Sequence, residues 1–222
     1  MEKNVIEHRL FFKEHYDDIK RTEQHLLEQI NKTLQPINEQ RNDSIAEHII
    51  SRIKTPGSTI EKLLLAGYDP TEENAIQILS DVIGIRLVVH FIGDIYTIRN
   101  LLVNSSDYQI VKEKDYVRNA KETGYRGYHI IIDTNVNGFK IRAEIQIRTI
   151  AMDCWASLEH LIRYKMVIKN TELIDMELRK CSDDLMSADI AMEQILGLAK
   201  RSTAEEYDEE DFFDDAIKCM DT

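Results

Sequence analysis

An Asn-Gly pair at positions 137 and 138 separates two runs of alternating apolar residues, and this feature restricts the fold most. Such a pair between alternating runs is the strongest short-range signal for a β-hairpin. It predicts adjacent antiparallel strands over Tyr128–Val136 and Phe139–Arg148. The centre of the chain is therefore expected to form a sheet, and not part of a helical bundle.

Helical and extended segments alternate around this hairpin. Apolar residues recur at helical spacing over residues 5–33, and a second helix is expected from Pro36 to about Ser51. Ser58 with Glu61 predicts a capping box at the start of another helix. Further strands are expected at Ile83–Phe91 and Tyr108–Lys114, and further helices at about 93–104, 150–164 and 171–200. The order predicts an α+β fold, a mixed four- or five-stranded β-sheet flanked by helices, with N- and C-terminal helical arms.

Charge is distributed unevenly along the chain. The net charge is −12, of which residues 166–222 carry −10, whereas residues 52–165 carry +1. We divide the chain into an N-terminal helical arm (1–51), a central core (52–165), a C-terminal helix (166–203) and an acidic tail (204–222). The tail is expected to be solvated, with a partner-docking peptide as the alternative. Strong nucleic-acid binding is not expected at this charge.

The sequence also indicates where the protein works. Its apolar runs are much shorter than the ~20 residues that cross a bilayer, and its first residues lack the pattern of a secretory signal. Three cysteines without metal-ligand spacing fit a reducing compartment. We therefore expect a cytoplasmic protein that does not enter a membrane.

The second hairpin strand has an unusually polar face. Alternation places four apolar side chains on one face and four polar ones on the other, namely Arg142, Glu144, Gln146 and Arg148. This could be an ordinary solvated strand face. However, Asp81 precedes the strand at Ile83–Phe91, and Arg86 lies inside that strand, where a charge needs a partner. Two carboxylates on neighbouring strands, Asp81 and Glu144, suit a magnesium ion that bridges phosphate oxygens.

The segment 115–129 combines cations, aromatic rings and two glycines. Lys121 and two arginines alternate with Tyr125, His129 and two further tyrosines. Cations neutralise phosphates, and an aromatic face at a glycine turn can stack on a base. A solvated loop is the alternative interpretation.

Four motifs in register resemble the synthetase domain of the RelA/SpoT superfamily, as found in single-domain small alarmone synthetases. They are Asp81-Val-Ile-Gly-Ile-Arg86, Gly124-Tyr-Arg-Gly-Tyr-His129, Glu144-Ile-Gln-Ile-Arg-Thr149 and Trp155-Ala-Ser-Leu-Glu-His160 with Tyr164-Lys165. The resemblance covers residues 5–200 and implies a nucleotidyltransferase-like fold, with 52–165 as the synthetase catalytic core. It further implies a homotetramer and a function in the stringent response.

The resemblance implies GTP diphosphokinase activity, with ATP and GDP or GTP as substrates. The pyrophosphoryl group of ATP would move to the ribose 3′-hydroxyl of the acceptor, giving (p)ppGpp and AMP. The implied residues are Asp81, Glu144 and Gln146 at the transferred group, with Asp81 and Glu144 holding Mg²⁺; Arg52, Lys54, Lys62 and Arg86 for ATP; and Lys114, Lys121, Tyr125, His129 and Asp153 for the acceptor. Asp153 stands where the family usually has an Asn directed at guanine.

Two other functions are considered beside this one. The same fold could act on adenine nucleotides or on the tRNA 3′ end as a toxin-like pyrophosphokinase, which would need a basic tRNA-binding surface. A catalytically inactive nucleotide- or RNA-binding regulator would be expected to lack Asp81 or Glu144, and both are present.

Overall fold

The computed structural model describes the backbone of residues 2–106, 108–165 and 171–220, and the side chains of 5–106, 108–163 and 171–202. The described helices are α1 (Glu2–Phe12), α2 (Tyr16–Arg41), α3 (Pro56–Leu65), α4 (Glu72–Ile78), α5 (Ile92–Val103), α6 (Ile150–Lys165) and α7 (Thr171–Met220), with a 3₁₀ turn at Lys13–His15. The described strands are β1 (Ala46–Ile53), β2 (Ile83–Val89), β3 (Gln109–Asp115), β4 (Tyr128–Val136) and β5 (Phe139–Thr149).

The strands form one mixed sheet in the order β1-β2-β5-β4-β3. The pair β2–β5 at its centre is parallel, and the other three pairs are antiparallel. The α+β fold with a mixed sheet and flanking helices is therefore confirmed, with five strands. The parallel pair places side chains from distant parts of the chain next to each other.

The hairpin predicted at Asn137-Gly138 is confirmed. Both residues have positive φ, 53° and 88°, as a type I′ turn requires. The alternation along β5 is confirmed as well, because Ile141, Ala143, Ile145 and Ile147 are almost fully buried. The polar residues between them occupy the opposite face of the sheet.

The apolar face of the sheet packs against α2 and α5. This core contains side chains that are at most 1% exposed, among them Ile19, Ile30, Leu34, Ile83, Ile85, Leu87, Ile95, Ile98 and Ile145. Two helices cover this face, and the polar side chains of β5 lie on the opposite face of the sheet.

The predicted helix from Pro36 to about Ser51 is wrong. Helix α2 continues through Pro36 to Arg41, because Ile30 and Leu34 before the proline are buried and Ile37 after it packs on the core. The following segment is strand β1, which is antiparallel to β2 and alternates between inward and outward residues. Tertiary packing thus outweighs the local helix-breaking tendency of proline here.

Helix α3 begins earlier than the capping box at Ser58 and Glu61 predicts. Its N-cap is Thr55, whose hydroxyl accepts from the backbone N–H of Ser58, and Pro56 occupies the first helical turn. This start places Lys62 on the last turn, toward the polar face of the sheet.

Two C-terminal helices complete the fold. Helix α6 follows β5 without a loop, and α7 packs against α6, where Trp155 donates from its indole nitrogen to the carbonyl oxygen of Leu178 at 2.8 Å. The backbone of α7 extends to Met220, beyond the predicted end near Lys200. The side chains of the acidic run from Glu205, and the side chain of Lys165, lie outside the described residues.

Among the described residues, no helix combines the length and the apolar character needed to cross a membrane.

Candidate active site

The polar face of the sheet brings together the site residues predicted on its strands. Gln146 of β5 lies between Arg86 of β2 and His129 of β4, and Lys114 of β3 pairs with His129. Glu144 precedes Gln146 by two residues and therefore faces the same side. One row across four strands thus presents a carboxylate, an amide, an imidazole and two cationic side chains.

A cavity of about 200 Å³ opens between β1, β2 and β5, beside this row. Asp81 and Glu144 both line it. The other lining residues are Ile50, Arg52, Gly84, Ile85, Arg86 and Gln146. The structure therefore places the two predicted carboxylates against one cavity, as a shared ion requires.

Asp81 lies two residues before β2 and is held by two lysines. Lys54 Nζ donates to Asp81 Oδ2 at 3.0 Å, and Lys62 Nζ lies 2.9 Å from the same oxygen. Burial raises the pKa of Asp81, but the hydrogen bond from Lys62 and the charges of both lysines outweigh it and lower this pKa overall. The second oxygen, Oδ1, is buried and has no hydrogen-bond partner among the residues that the structure describes.

Glu144 is half-buried and fully engaged through both oxygens. Its Oε1 lies 3.1 Å from His129 Nδ1, and its Oε2 accepts from Gln146 Nε2 at 2.7 Å. Burial raises the pKa of Glu144, but the hydrogen bond and charge of His129, the Gln146 amide and the charge of Lys114 lower it to about 2. An ionised carboxylate only accepts, so Nδ1 of His129 carries the proton in this contact.

The donor set fits a magnesium ion. Magnesium prefers carboxylate oxygens and keeps several ligand positions for water and phosphate. Asp81 and Glu144 both remain ionised at neutral pH, since the pKa of each is lowered. The buried Oδ1 of Asp81 supports this fit, because no described side chain or backbone group bonds to it and a cation would satisfy it.

The loop between β3 and β4 carries the aromatic and basic acceptor residues. Tyr125 contacts His129 through its hydroxyl, which lies 2.5 Å from Nε2. Lys121 Nζ lies 4.8 Å from the centre of the Tyr125 ring and 4.7 Å from that of Tyr116. Burial and the charge of Lys114 lower the pKa of Lys121. The predicted residues Lys114, Lys121, Tyr125 and His129 thus form one connected group.

Helix α7 packs against this loop at Gly124. Gly124 has φ of +93°, and an added Cβ would lie 3.1 Å from Arg179 Cα and 3.2 Å from the ring of Trp155. Ser182 Oγ donates to the carbonyl oxygen of Gly124 at 2.5 Å. The turn needs glycine for its backbone conformation and for the close approach of α7.

Arg148 belongs to the site although the sequence analysis assigned it no role. It is 6% exposed, and its guanidinium donates to the hydroxyl of Tyr125 from Nε at 3.2 Å and from Nη2 at 2.9 Å. The same Nη2 donates to Gln146 Oε1 at 3.1 Å. The alternation of β5, which predicts Arg148 on the same face as Glu144 and Gln146, is the sequence signal that could have identified it as a site residue.

Asp153, on the first turn of α6, lies between two arginines. Arg148 Nη1 donates to its Oδ1 at 3.0 Å, and Arg86 Nη1 lies 3.0 Å from the same oxygen. On the other side of the cavity, Arg52 lies over Gly84 and also lines the cavity. All twelve predicted site residues are therefore on or beside one face of the sheet.

Comparison with known proteins gives a consistent result. The model of the region found in RelA / SpoT proteins matches residues 51–169. The chain is 40% identical over 158 residues to the GTP pyrophosphokinase YwaC of Bacillus subtilis, covering 69% of this chain and 74% of that protein. It is 32% identical over 178 residues to the GTP pyrophosphokinase YjbM of the same organism, covering 78% and 83%.

The fold has a matching counterpart among solved structures. The small alarmone synthetase 1 from Bacillus subtilis, bound to its product pppGpp, superposes with a TM-score of 0.72 at 27% identity. The match covers 81% of this chain and 93% of that one.

Proposed function

The chain belongs to the RelA/SpoT family, and from this premise we propose that it is a GTP pyrophosphokinase. It transfers the pyrophosphoryl group of ATP to the ribose 3′-hydroxyl of GDP or GTP and forms AMP with ppGpp or pppGpp. The observation that carries the proposal is the cavity shared by Asp81 and Glu144, with cationic side chains around it.

The ATP half of the site lies along β1, β2 and α3. Arg52 and Arg86 line the cavity and are positioned to hold the adenine ring between their planar guanidinium groups. Lys54 and Lys62 flank Asp81 and supply the positive charge that the phosphates need. Both lysines form ion pairs with Asp81, so their ammonium groups lie at the edge of the cavity where the ATP phosphates would bind.

The acceptor half lies on the loop before β4. Tyr125 offers the aromatic face for guanine, a contact of ~1–3 kcal/mol per base in single-strand systems. Lys114 and Lys121 bring two cations beside it, and burial, followed by the charge of Lys114, lowers the pKa of Lys121. Asp153 can accept hydrogen bonds from the N1 and N2 hydrogens of guanine.

The reaction needs positioning and charge neutralisation more than covalent assistance. Glu144 has a pKa near 2, so it is a weak base and acts mainly by accepting a hydrogen bond from the 3′-hydroxyl and orienting it. Gln146 donates to one oxygen of Glu144, and its own oxygen accepts from Arg148, so it keeps Glu144 in place beside the transferred group. A magnesium ion held by Asp81 and Glu144 would neutralise phosphate charge as a Lewis acid.

A product assay tests the proposed function. The purified chain is incubated with labelled ATP, Mg²⁺ and one acceptor at a time, namely GMP, GDP, GTP, ADP or AMP, and the products are separated by chromatography. We expect AMP together with ppGpp or pppGpp from GDP or GTP. Product only with adenine nucleotides, or no product with any acceptor, would contradict the proposal.

The alternative functions are not favoured. YwaC and YjbM are both named GTP pyrophosphokinases, which argues against adenine nucleotides or the tRNA 3′ end as acceptor. A catalytically inactive regulator would not need Asp81 and Glu144 at one cavity.

We further propose that the chain forms a homotetramer through its helical arms and makes alarmone in the cytoplasm for the stringent response. The support for assembly is the exposed apolar side chains of the arms, which include Leu10 of α1 and Met176 and Ile195 of α7. The neighbouring helix α6 adds Leu158 and Leu161 to this apolar surface. Two cysteines, Cys154 and Cys181, are free thiols, which fits a reducing compartment.

A further inference from the structure

Asp153 joins two arginines that serve different halves of the proposed site. Arg86 is on β2, Arg148 is on β5 and Asp153 is on α6, so the contact ties three elements together. Both guanidinium groups approach one oxygen, Oδ1, at 3.0 Å. The Asp153 side chain is 17% exposed, so water screens the two contacts only partly.

Arg86 depends on this contact for its orientation. In the part of the chain whose side chains are described, Asp153 is its one ion-pair partner. The Nε of Arg86 is buried and has no hydrogen-bond partner there. Arg86 lines the cavity with Asp81 and Glu144, so its position shapes the ATP half.

Arg148 passes the same constraint to the acceptor half. It holds the Tyr125 hydroxyl through two nitrogens, and it donates to Gln146 as well. Its side chain is 7% exposed, so it has little freedom to change rotamer. Asp153 on α6 holds Arg148, and Arg148 in turn holds Tyr125, so Asp153 also restricts the position of Tyr125.

In this chain a carboxylate lies between the two arginines and offsets their positive charge. The guanidinium groups of Arg86 and Arg148 repel each other, and the ionised Asp153 compensates both. An Asn at this place would keep an acceptor oxygen but would leave the repulsion uncompensated. This charge compensation gives Asp153 a role beyond a contact with guanine.

We propose that Asp153 is a positioning residue for both nucleotides, because it holds Arg86 for ATP and Arg148 with Tyr125 for the acceptor. The proposal rests on the proposed function for the identity of the two ligands. It differs from a pure guanine contact in one respect: loss of Asp153 weakens ATP binding even when no acceptor is present.

Binding of an ATP analogue tests this without turnover. Calorimetry with Mg²⁺ and AMPCPP, a non-hydrolysable analogue of ATP, is carried out on the wild type, D153A, D153N, R86A and R86A/D153A. We expect D153A to raise the Kd for AMPCPP about tenfold, as loss of one charge-assisted contact implies, and D153N to raise it less. In the R86A background, D153A is expected to add no further loss.

A matched control uses another Arg–Asp pair of the sheet. Arg142 donates to Asp133 at 3.0 Å, and this pair lies outside the cavity. The D133A variant is expected to bind AMPCPP like the wild type, and melting curves show that each variant is folded. If D153A does not fold, D153N, which keeps the side-chain volume, carries the comparison.

The outcomes separate this proposal from the proposed function. The positioning role would be overturned if the Kd for AMPCPP were unchanged in both D153A and D153N. It would also be overturned if D153A raised this Kd by the same factor in the wild type and in the R86A background. In steady-state kinetics we expect D153A to raise the KM for the guanine nucleotide as well, and a rise confined to that KM would also overturn it. A wild-type chain that binds AMPCPP but forms no alarmone would contradict the proposed function alone.

Discussion

At the scale of single residues, Asp81 and Glu144 are the side chains on which turnover depends most directly. We expect Asp81→Asn and Glu144→Gln each to lower kcat at least 100-fold, because each removes one of the two charges that can hold a cation at the cavity. Product chromatography measures the loss, and far-UV circular dichroism checks that the fold is intact. Asp133→Asn is the control on the same sheet, and near-normal turnover in either site variant would contradict the metal assignment.

Tyr125 allows the ring and the hydroxyl to be tested separately. Tyr125→Ala removes the stacking face, so we expect the KM for GDP or GTP to rise about tenfold or more while the KM for ATP changes less. Tyr125→Phe keeps the ring and removes only the hydroxyl that His129 and Arg148 contact. We expect Tyr125→Phe to keep most of the affinity for the acceptor. If Tyr125→Ala has the same acceptor KM as the wild type, Tyr125 does not stack on the guanine base.

The low pKa of Glu144 predicts how stability depends on pH. This pKa falls from 4.5 to about 2 on folding, so between these values the unfolded chain binds more protons than the folded chain. The stabilisation is therefore complete above pH 4.5 and is lost as the pH falls through about 2. We expect the free energy of unfolding, measured with urea between pH 5 and 3, to fall less steeply in Glu144→Gln, by at most about 1.4 kcal/mol per pH unit. Equal slopes would contradict the assigned pKa.

The sequence predicted most of the residues that lie together at the candidate site, but not the contacts between them. The alternation of β5 placed Glu144, Gln146 and Arg148 on one face, because strand periodicity is a local property. The contact of Arg148 with Tyr125 and Asp153 joins a strand, a loop and a helix, so no local pattern contains it. The motif resemblance supplied Asp153 as an acceptor residue and gave no sign of its contact with Arg86.

At the scale of elements, the packing of α7 against the acceptor loop predicts an unequal cost of two glycine substitutions. Gly124 and Gly138 have similar φ, 93° and 88°, but only Gly124 has neighbours where a Cβ would be added. Gly138→Ala therefore measures backbone strain alone, about 1 kcal/mol or more, and Gly124→Ala adds a steric clash. We expect Gly124→Ala to lower the Tm further and to raise the acceptor KM, and equal melting temperatures would contradict the close packing.

The N-terminal elements show where local signals mislead. Proline usually ends a helix, yet Pro36 lies inside α2, because Leu34 and Ile37 on either side of it pack on the core. In β1 the more buried residues are Ile49, Ser51 and Ile53, at every second position. The sequence does not show this alternation, because Ile49 and Ile50 are adjacent and Ser51 is polar, so the strand could not be separated from a helix without its partner β2. The hairpin at Asn137-Gly138 was predictable because its turn chemistry is contained within two residues.

At the scale of the whole molecule, the apolar surface of the C-terminal helices predicts self-association. Leu161 of α6 and Met176 of α7 are 45% and 53% exposed. We expect size-exclusion chromatography with light scattering to give a tetramer for the wild type, and Leu161→Glu or Met176→Glu to shift it to smaller species. Ile78→Glu, an exposed position on α4, is the matched control. A monomeric wild type would contradict assembly through these helices.

The parallel pairing of β2 with β5 has a consequence for the order in which the protein matures. The segments that form the two walls of the cavity lie more than fifty residues apart in the chain, and β3, β4 and α5 are synthesised between them. Such long-range pairing is slow, because the intervening chain must be ordered before the contact is gained. A chain emerging from the ribosome therefore has no second cavity wall until β5 has left the exit tunnel, and alarmone cannot be made by a partly synthesised enzyme.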